Sequence, residues 1–224
     1  MNIGAIFDWD GVVVNSEKAH LQSWEMLAEA HGHTIPENFM ADTFGKRNLE
    51  IIPQILKWTD DMKVVAEMSD EKERYYRKIV AEKGLPLVDG IEKFLQSLQS
   101  AGIPCAIGSS TPRENLEQAL DKLGFAKYFV ASATMEDVSR GKPAPDVFLC
   151  AAEKIGVQPR RCVVFEDSEA GIDAGISAKM KTVAVSTTFP SSFWESRIKG
   201  FPDIVIEDFT PMDASIIEGF WRKK

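Results

Sequence analysis

Short apolar runs punctuate the chain at residues 3–7, 103–108, 162–165 and 182–185. Each is continuous rather than alternating, the pattern of a strand buried on both faces of a parallel sheet. The first three lead into helix-period stretches and the last into a loop. Helices are predicted over residues 111–123, 146–155 and 168–178, with Gly124 and Gly156 at positions where helices commonly end. Residues 203–206 read as one more strand, after a Pro- and aromatic-containing connection over 186–202. Strand alternating with helix in this way predicts an α/β fold with a doubly wound parallel-sheet (Rossmann-like) core.

Residues 16–85 break that rhythm. The stretch is helix-rich and heavily charged, and offers no strand before the Gly84-Leu85-Pro86 turn; helices are predicted over 17–30, 48–58 and 69–82. The expected organisation is an α/β core made of residues 1–15 and 86–224, with an α-helical cap of residues 16–85 inserted after the first strand; core structure resumes near Val88. No internal repeat is visible.

Composition narrows the function by exclusion. A hydrophobic share of 44% with 27% charged residues describes a folded globular protein. The 26 basic residues are outnumbered by 34 acidic ones, a net charge of −8 that argues against broad binding to nucleic acid or to an anionic membrane. An anionic substrate must then be attracted by local charge. No apolar run reaches spanning length, and the N-terminal stretch carries Asp8 and Asp10 and no basic region, so the cytoplasm is the expected location and a monomer the expected state, with an oligomer left open. Cys105, Cys150 and Cys162 lack CxxC spacing and read as reduced core thiols.

The polar residues that stand out share one address. Asp8, Ser109 and Asp167 each lie at or just past the C-terminal end of an apolar strand, the edge where open α/β sheets bind ligands, and Lys142 arrives from a fourth loop. In Asp8-Trp9-Asp10-Gly11, two carboxylates two apart project to one side of an extended backbone, and the glycine lets the chain turn sharply. One acid can attack while the other handles protons. Like charges this close raise the proton affinity of one member unless a cation intervenes. Gly108-Ser109-Ser110-Thr111 follows a strand and opens a predicted helix, so its amides and hydroxyls can cradle a phosphate; a plain helix cap is the other reading. Lys142 sits in a loop stiffened by Pro143 and Pro145 and can neutralise phosphate oxygens. Glu166 and Asp167, together with Asp8, supply the hard oxygen ligands that Mg2+ prefers.

In order along the chain, FDWDG, the Ser109 strand end, GKPAPD and FEDS resemble the four motifs of the haloacid dehalogenase-like hydrolase superfamily. The helical insert directly after the first motif resembles the cap of the group containing beta-phosphoglucomutase and phosphoglycolate phosphatase. The resemblance implies Asp8 as a nucleophile that becomes an aspartyl phosphate, and Asp10 as the acid that protonates the leaving oxygen and then deprotonates water. It implies Ser109, Ser110 and Lys142 as phosphate binders. For Mg2+ it implies the carboxylates of Asp8 and Asp167 and the main-chain carbonyl of Asp10, with Glu166 orienting a water of the ion. The family's dehalogenases lack the second acid and its phosphonatases replace it with a small residue, so Asp10 argues for phosphoryl transfer.

The substrate question falls to the cap. His20, one turn after Ser16, resembles a hinge histidine of beta-phosphoglucomutase, and Lys72 resembles a phosphate-binding cap lysine. Arg47 lies in Thr43-Phe44-Gly45-Lys46-Arg47-Asn48, which resembles the mutase's substrate loop only loosely and so counts against the mutase. Arg47 and Lys72 read equally as solvated cap charges. His31 and His33 flank Gly32, which reads as a helix stop rather than part of a metal site. Trp9 fits either the core or the crevice entrance. The expected function is a phosphatase acting on a small phosphorylated metabolite such as a sugar phosphate, with a phosphosugar mutase next and a non-catalytic sensor last.

Overall fold

A computed structural model of the chain describes residues 2–43, 46–197 and 200–221. Six strands form one parallel sheet: β1 (Gly4–Phe7), β2 (Cys105–Gly108), β3 (Ala131–Ala133), β4 (Cys162–Glu166), β5 (Lys181–Val185) and β6 (Ile204–Ile206), in the spatial order β3-β2-β1-β4-β5-β6. The chain winds outward from β1 in both directions. The strand order therefore reverses beside β1, at the edge where Asp8 emerges.

Both faces of the sheet are covered, which explains the continuous apolar runs. On one face Ala5, Phe7, Cys105, Ile107, Val163, Phe165, Val183 and Val185 meet α5 (Ile91–Ser100), α6 (Arg113–Leu123) and α10 (Ala214–Gly219). On the other, Ile6, Ala106, Cys162 and Val164 meet α7 (Asp146–Lys154) and α8 (Glu169–Ser177). Odd and even strand positions feed opposite layers, as a period of two requires. A short helix, α9 (Ser191–Ser196), packs Trp194 beside Ile172 and Ala184.

Between β1 and α5 the chain is helical, through α1 (Glu17–His31), α2 (Phe39–Thr43), α3 (Asn48–Glu50) and α4 (Met62–Lys83). These helices bury their own apolar cluster of Trp24, Leu27, Phe39, Ile51, Ile52, Val65 and Met68. Two sequence expectations change here. The helix expected over 48–58 is α3 followed by a π-helical stretch, Ile51–Leu56: Pro53 has no N–H for the α ladder, and Lys57 ends the stretch in left-handed conformation. The helix expected over 69–82 begins at Met62, where the Asp61 side chain accepts the Lys63 amide at 2.9 Å.

Elsewhere the differences are smaller. β2 starts at Cys105 rather than at residue 103, because Pro104 has no N–H to pair; its carbonyl still accepts from the Ala5 amide. The edge strand β3 and the helices α5, α9 and α10 were not among the predicted elements. No described helix is long and apolar enough to cross a membrane.

Candidate active site

Asp8 directly follows an aromatic cluster in the centre of the sheet. Phe7 stacks on Phe165 at 4.7 Å and meets Phe94, Phe129 and Phe209, while the Asp8 amide donates to the Phe165 carbonyl at 2.9 Å. Gly11 then turns the chain at φ 76°, and a Cβ there would lie 1.8 Å from Asp167 Oδ2, so any side chain would displace that carboxylate. A crevice of about 520 Å3 opens above these strand ends. Of the residues singled out from sequence, Asp8, Asp10, His20, Arg47, Lys72, Ser109, Ser110, Lys142 and Asp167 line it; Glu166 lies just behind.

Lys142 is almost wholly buried between two carboxylates, 2.9 Å from Asp8 Oδ1 and 2.7 Å from Glu166 Oε1, over the Phe148 ring. Burial works to lower its pKa, but Asp8 and Glu166 prevail and hold the ammonium charged. Glu166 is saturated: Oε1 accepts from Lys142, and Oε2 from the amides of Asp167 and Ser168 and from the Ser168 hydroxyl. Its carboxylate fits only because residue 171 is glycine, since a Cβ there would lie 1.7 Å from Glu166 Oε1. Asp167 Oδ2 accepts from Thr188 Oγ1 at 2.5 Å.

Asp8 Oδ1 has the Lys142 ammonium as its one partner, and Asp167 Oδ1 is buried without a hydrogen bond. Asp8, Glu166 and Asp167 offer oxygens within 4.8 Å of one another. Burial, with the mutual repulsion of these acids, pushes the Asp8 carboxyl up to about 7 against the pull of Lys142, and raises Asp167 as well. A buried excess of carboxylate charge over one lysine, with hard oxygens of three acids close together, fits a small divalent cation such as Mg2+.

Asp10 has the opposite environment. Its Oδ1 accepts from Ser16 Oγ at 2.5 Å and from His20 Nε2 at 3.3 Å, and its Oδ2 accepts from the Thr111 hydroxyl. Burial favours the neutral acid, but His20 and these hydroxyls outweigh it and hold the carboxyl well below the usual range. The acid pair therefore splits, with Asp8 raised and Asp10 lowered in the metal-free protein.

His20 stacks on Tyr76 at 4.3 Å, and its Nδ1 lies 2.9 Å from Lys72 Nζ. An ammonium can only donate, so Nδ1 accepts and Nε2 carries the proton given to Asp10. Lys72, 2% exposed, also donates to Glu73 Oε1 at 2.9 Å and sits over the Trp24 and Tyr76 rings. Two of its three donors are thus committed within the protein, which is not the surface position a solvated charge would take.

The remaining expectations are placed as follows. Ser109 is buried and its Oγ accepts the Thr111 amide at 3.1 Å, but α6 begins only at Arg113 after Pro112, so no serine caps it. Arg47 lies against the Lys142 loop: a Cβ on Gly141 would be 2.7 Å from Arg47 Nε, which is buried without a hydrogen bond. Phe44 and Gly45 of the same loop lie outside the described residues. Trp9 is fully buried in the core. Gly32 ends α1 in left-handed conformation, His31 pairs with Glu71 and His33 stacks on Trp58. All three cysteines are free, and burial pushes the thiols of Cys105 and Cys162 up to about 12. Sequence reasoning missed Thr111, Thr188, Glu73 and Asn115. Of these only Thr111, inside the Gly108–Thr111 motif, carried a local signal.

Residues 4–179 match the family model described as haloacid dehalogenase-like hydrolase. The chain is 37% identical over 191 residues to the chloroplastic 5-amino-6-(5-phospho-D-ribitylamino)uracil phosphatase of Arabidopsis thaliana, covering 84% of this chain but only 51% of that protein, about half its length. It is 32% identical over 184 residues to a fructose-1-phosphate phosphatase of Escherichia coli, covering 81% of this chain and 95% of that one. Among solved structures, a beta-phosphoglucomutase of Clostridium difficile superposes with a TM-score of 0.81 at 27% identity, over 98% of this chain and 96% of the other.

Proposed function

The chain belongs to the haloacid dehalogenase-like hydrolases, and we propose that it is a Mg2+-dependent phosphatase that takes phosphate from a small sugar phosphate onto Asp8. One observation carries this reading: the buried carboxylates of Asp8, Glu166 and Asp167 bring oxygens within 4.8 Å of one another around a single lysine, with Asp167 Oδ1 left without a hydrogen bond, at the point where the sheet order reverses. Phosphatase activity on phosphorylated metabolites agrees with the named relatives.

Asp8, Asp167 and the Asp10 main chain would hold the cation. When bound, Mg2+ would neutralise the Asp8 carboxylate and the phosphate oxygens. In the first half-reaction an Asp8 carboxylate oxygen attacks phosphorus and the bond to the leaving oxygen breaks; Asp10, ionised in the free protein, takes up a proton as the substrate's negative charge enters the crevice and gives it to that oxygen. In the second, Asp10 takes a proton from water, the water oxygen attacks phosphorus, and the bond to Asp8 breaks to release inorganic phosphate. Lys142, braced by Glu166, offsets phosphate charge throughout. Ser109 and Ser110 offer hydroxyls and amides to the same oxygens. Residues 16–85 act as the cap, with Arg47 facing the part of the substrate that leaves and His20 and Lys72 orienting Asp10.

A phosphosugar mutase is the second reading. The Asp10–His20–Lys72 chain favours it, because an acid-base residue governed by the cap can wait for a sugar hydroxyl rather than water. The test is phosphate release across a panel of sugar phosphates, phosphoglycolate and beta-glucose 1-phosphate, with and without Mg2+, comparing wild type with Asp8→Asn. Glucose 6-phosphate is detected in parallel. Mg2+-dependent release abolished by Asp8→Asn is the expected result; isomerisation without net release assigns the mutase, and undiminished release by Asp8→Asn refutes the nucleophile.

A further inference from the structure

Asn115 stands on α6, beside the sheet, 1% exposed, and its side chain faces α4 of the helical insert. Its Nδ2 donates to Glu73 Oε2 at 2.5 Å and its Oδ1 accepts from Arg77 Nη1 at 2.9 Å. Glu73 and Arg77 are one turn apart on α4, so a single amide meets an acid and a base of the same helix face. Only a group with both a donor and an acceptor satisfies the two at once. Glu73 Oε1 in turn accepts from Lys72 Nζ at 2.9 Å and from Asn48 Nδ2 at 2.7 Å. Asn48 directly follows Arg47, and Lys72 leads through His20 to Asp10.

The other α4–α6 links differ in kind: Glu114, largely exposed, pairs with Arg77 at 3.3 Å, and two more links reach main chain. Gln118 Nε2 donates to the Arg77 carbonyl at 3.3 Å, and Lys122 donates to the Ala81 carbonyl. Both grip main chain and carry nothing toward the crevice. Separation of α4 from α6 would strip Asn115 from Glu73 and Arg77 together, and would leave Glu73 short of a donor at the root of the chain that governs Asp10.

We infer that Asn115 is a positioning residue that couples seating of the insert on the core to the orientation of Asp10, acting through Glu73, Lys72 and His20. This role rests on the reading of Asp10 as the proton donor and acceptor. The charged groups around the Asn115–Glu73 contact are Lys72 and Arg77 on α4, His20 on α1 and Glu114 on α6, which lies 3.3 Å from Arg77.

The full chain is assayed with Mg2+ and p-nitrophenyl phosphate from pH 5 to pH 8. Asn115→Asp keeps the shape and the bond to Arg77 but turns the donor facing Glu73 into an acceptor. The expected kcat at pH 8 is roughly 10- to 100-fold below wild type, the scale of one lost charge-assisted hydrogen bond. The deficit shrinks toward pH 5, as a proton shared between the two carboxyls restores the donor. Adding Glu73→Gln to Asn115→Asp supplies the donor from the other side, so the double variant turns over faster than Asn115→Asp alone. Asn115→Ala, with its thermal midpoint recorded, loses kcat at all pH values alike. A constant ratio of Asn115→Asp to wild type across pH, or a double variant slower than both single variants, overturns the inference while an inactive Asp10→Asn leaves the Asp10 reading standing. A fully active Asp10→Asn overturns both.

Discussion

With no cation bound, the acid cluster of Asp8, Glu166 and Asp167 is a source of instability that grows with pH. Burial raises the Asp8 carboxyl to about 7 from an ordinary 3.8, and Asp167 is raised as well. Between those two values the folded protein binds more protons than the unfolded chain, so its stability is fully present below about pH 4 and is lost as pH rises through 7. A displacement of roughly three pH units at about 1.4 kcal/mol each corresponds to something on the order of 4 kcal/mol from Asp8. About half of that, roughly 2 kcal/mol, falls above pH 5.5, so at about 2–4 °C per kcal/mol for a chain of this size the thermal midpoint falls by about 4–8 °C between pH 5.5 and 8. Carboxyls with lowered pKa, such as Asp10, Glu73 and Asp137, act in the opposite sense, but their stabilisation is lost only below the ordinary carboxylate range, so a window of pH 5.5–8 isolates the raised acids. The assay is differential scanning calorimetry in chelator across that window, repeated with Mg2+. Mg2+ at 100 times its dissociation constant adds about 2.7 kcal/mol and flattens the slope. Asp8→Asn, which keeps the shape and removes the charge, flattens the slope without metal and weakens the metal response. A chelated wild type whose midpoint rises from pH 5.5 to 8, or an Asp8→Asn variant with the wild-type slope, refutes the reasoning.

Three further outcomes follow from particular contacts. Gly171→Ala drives a methyl into Glu166, so thermal stability falls by about 1–3 kcal/mol, and phosphate release falls with it as Lys142 loses its brace; an unchanged midpoint and rate contradict the packing. His20→Asn removes the donor on Asp10 and the acceptor for Lys72, and lowers kcat by roughly 10- to 100-fold with little change in the thermal midpoint; equal turnover in a phosphate-release assay removes the chain from the mechanism. Asp137 closes a capping box with Thr134 and receives Arg113 and Lys154, so Asp137→Asn costs about 1 kcal/mol at pH 7 and progressively less as pH falls below about 4, where the unfolded chain's Asp137 takes up a proton while the folded carboxylate, held lower, is still ionised; urea denaturation on either side of that pH reads the difference.

The sequence by itself determined the sheet and the address of the chemistry. Strands covered on both faces need apolar residues at every position, so β1, β2, β4 and β5 announce themselves, and polar residues at their ends, Asp8, Ser109 and Asp167, can only fall at one edge. The edge strand β3 was illegible because three half-buried residues carry no run, and the π-helical stretch because a proline inside an apolar segment does not say which ladder replaces the α one. What only the tertiary structure decided is which charges meet. Lys72 and Arg47 look like any surface charges in sequence, but in the fold one is buried against His20 and Glu73 and the other is half-buried against the Lys142 loop. Asn115 has no signature at all. A hydrogen bond between residues 42 positions apart depends on how two helices pack, and packing is a property of surfaces rather than of spacing along the chain. The split of the two motif aspartates has the same origin: burial and the Glu166 charge raise Asp8 against the pull of Lys142, whereas His20, Ser16 and Thr111 outweigh burial at Asp10, and Lys142, Glu166 and Thr111 all come from distant segments.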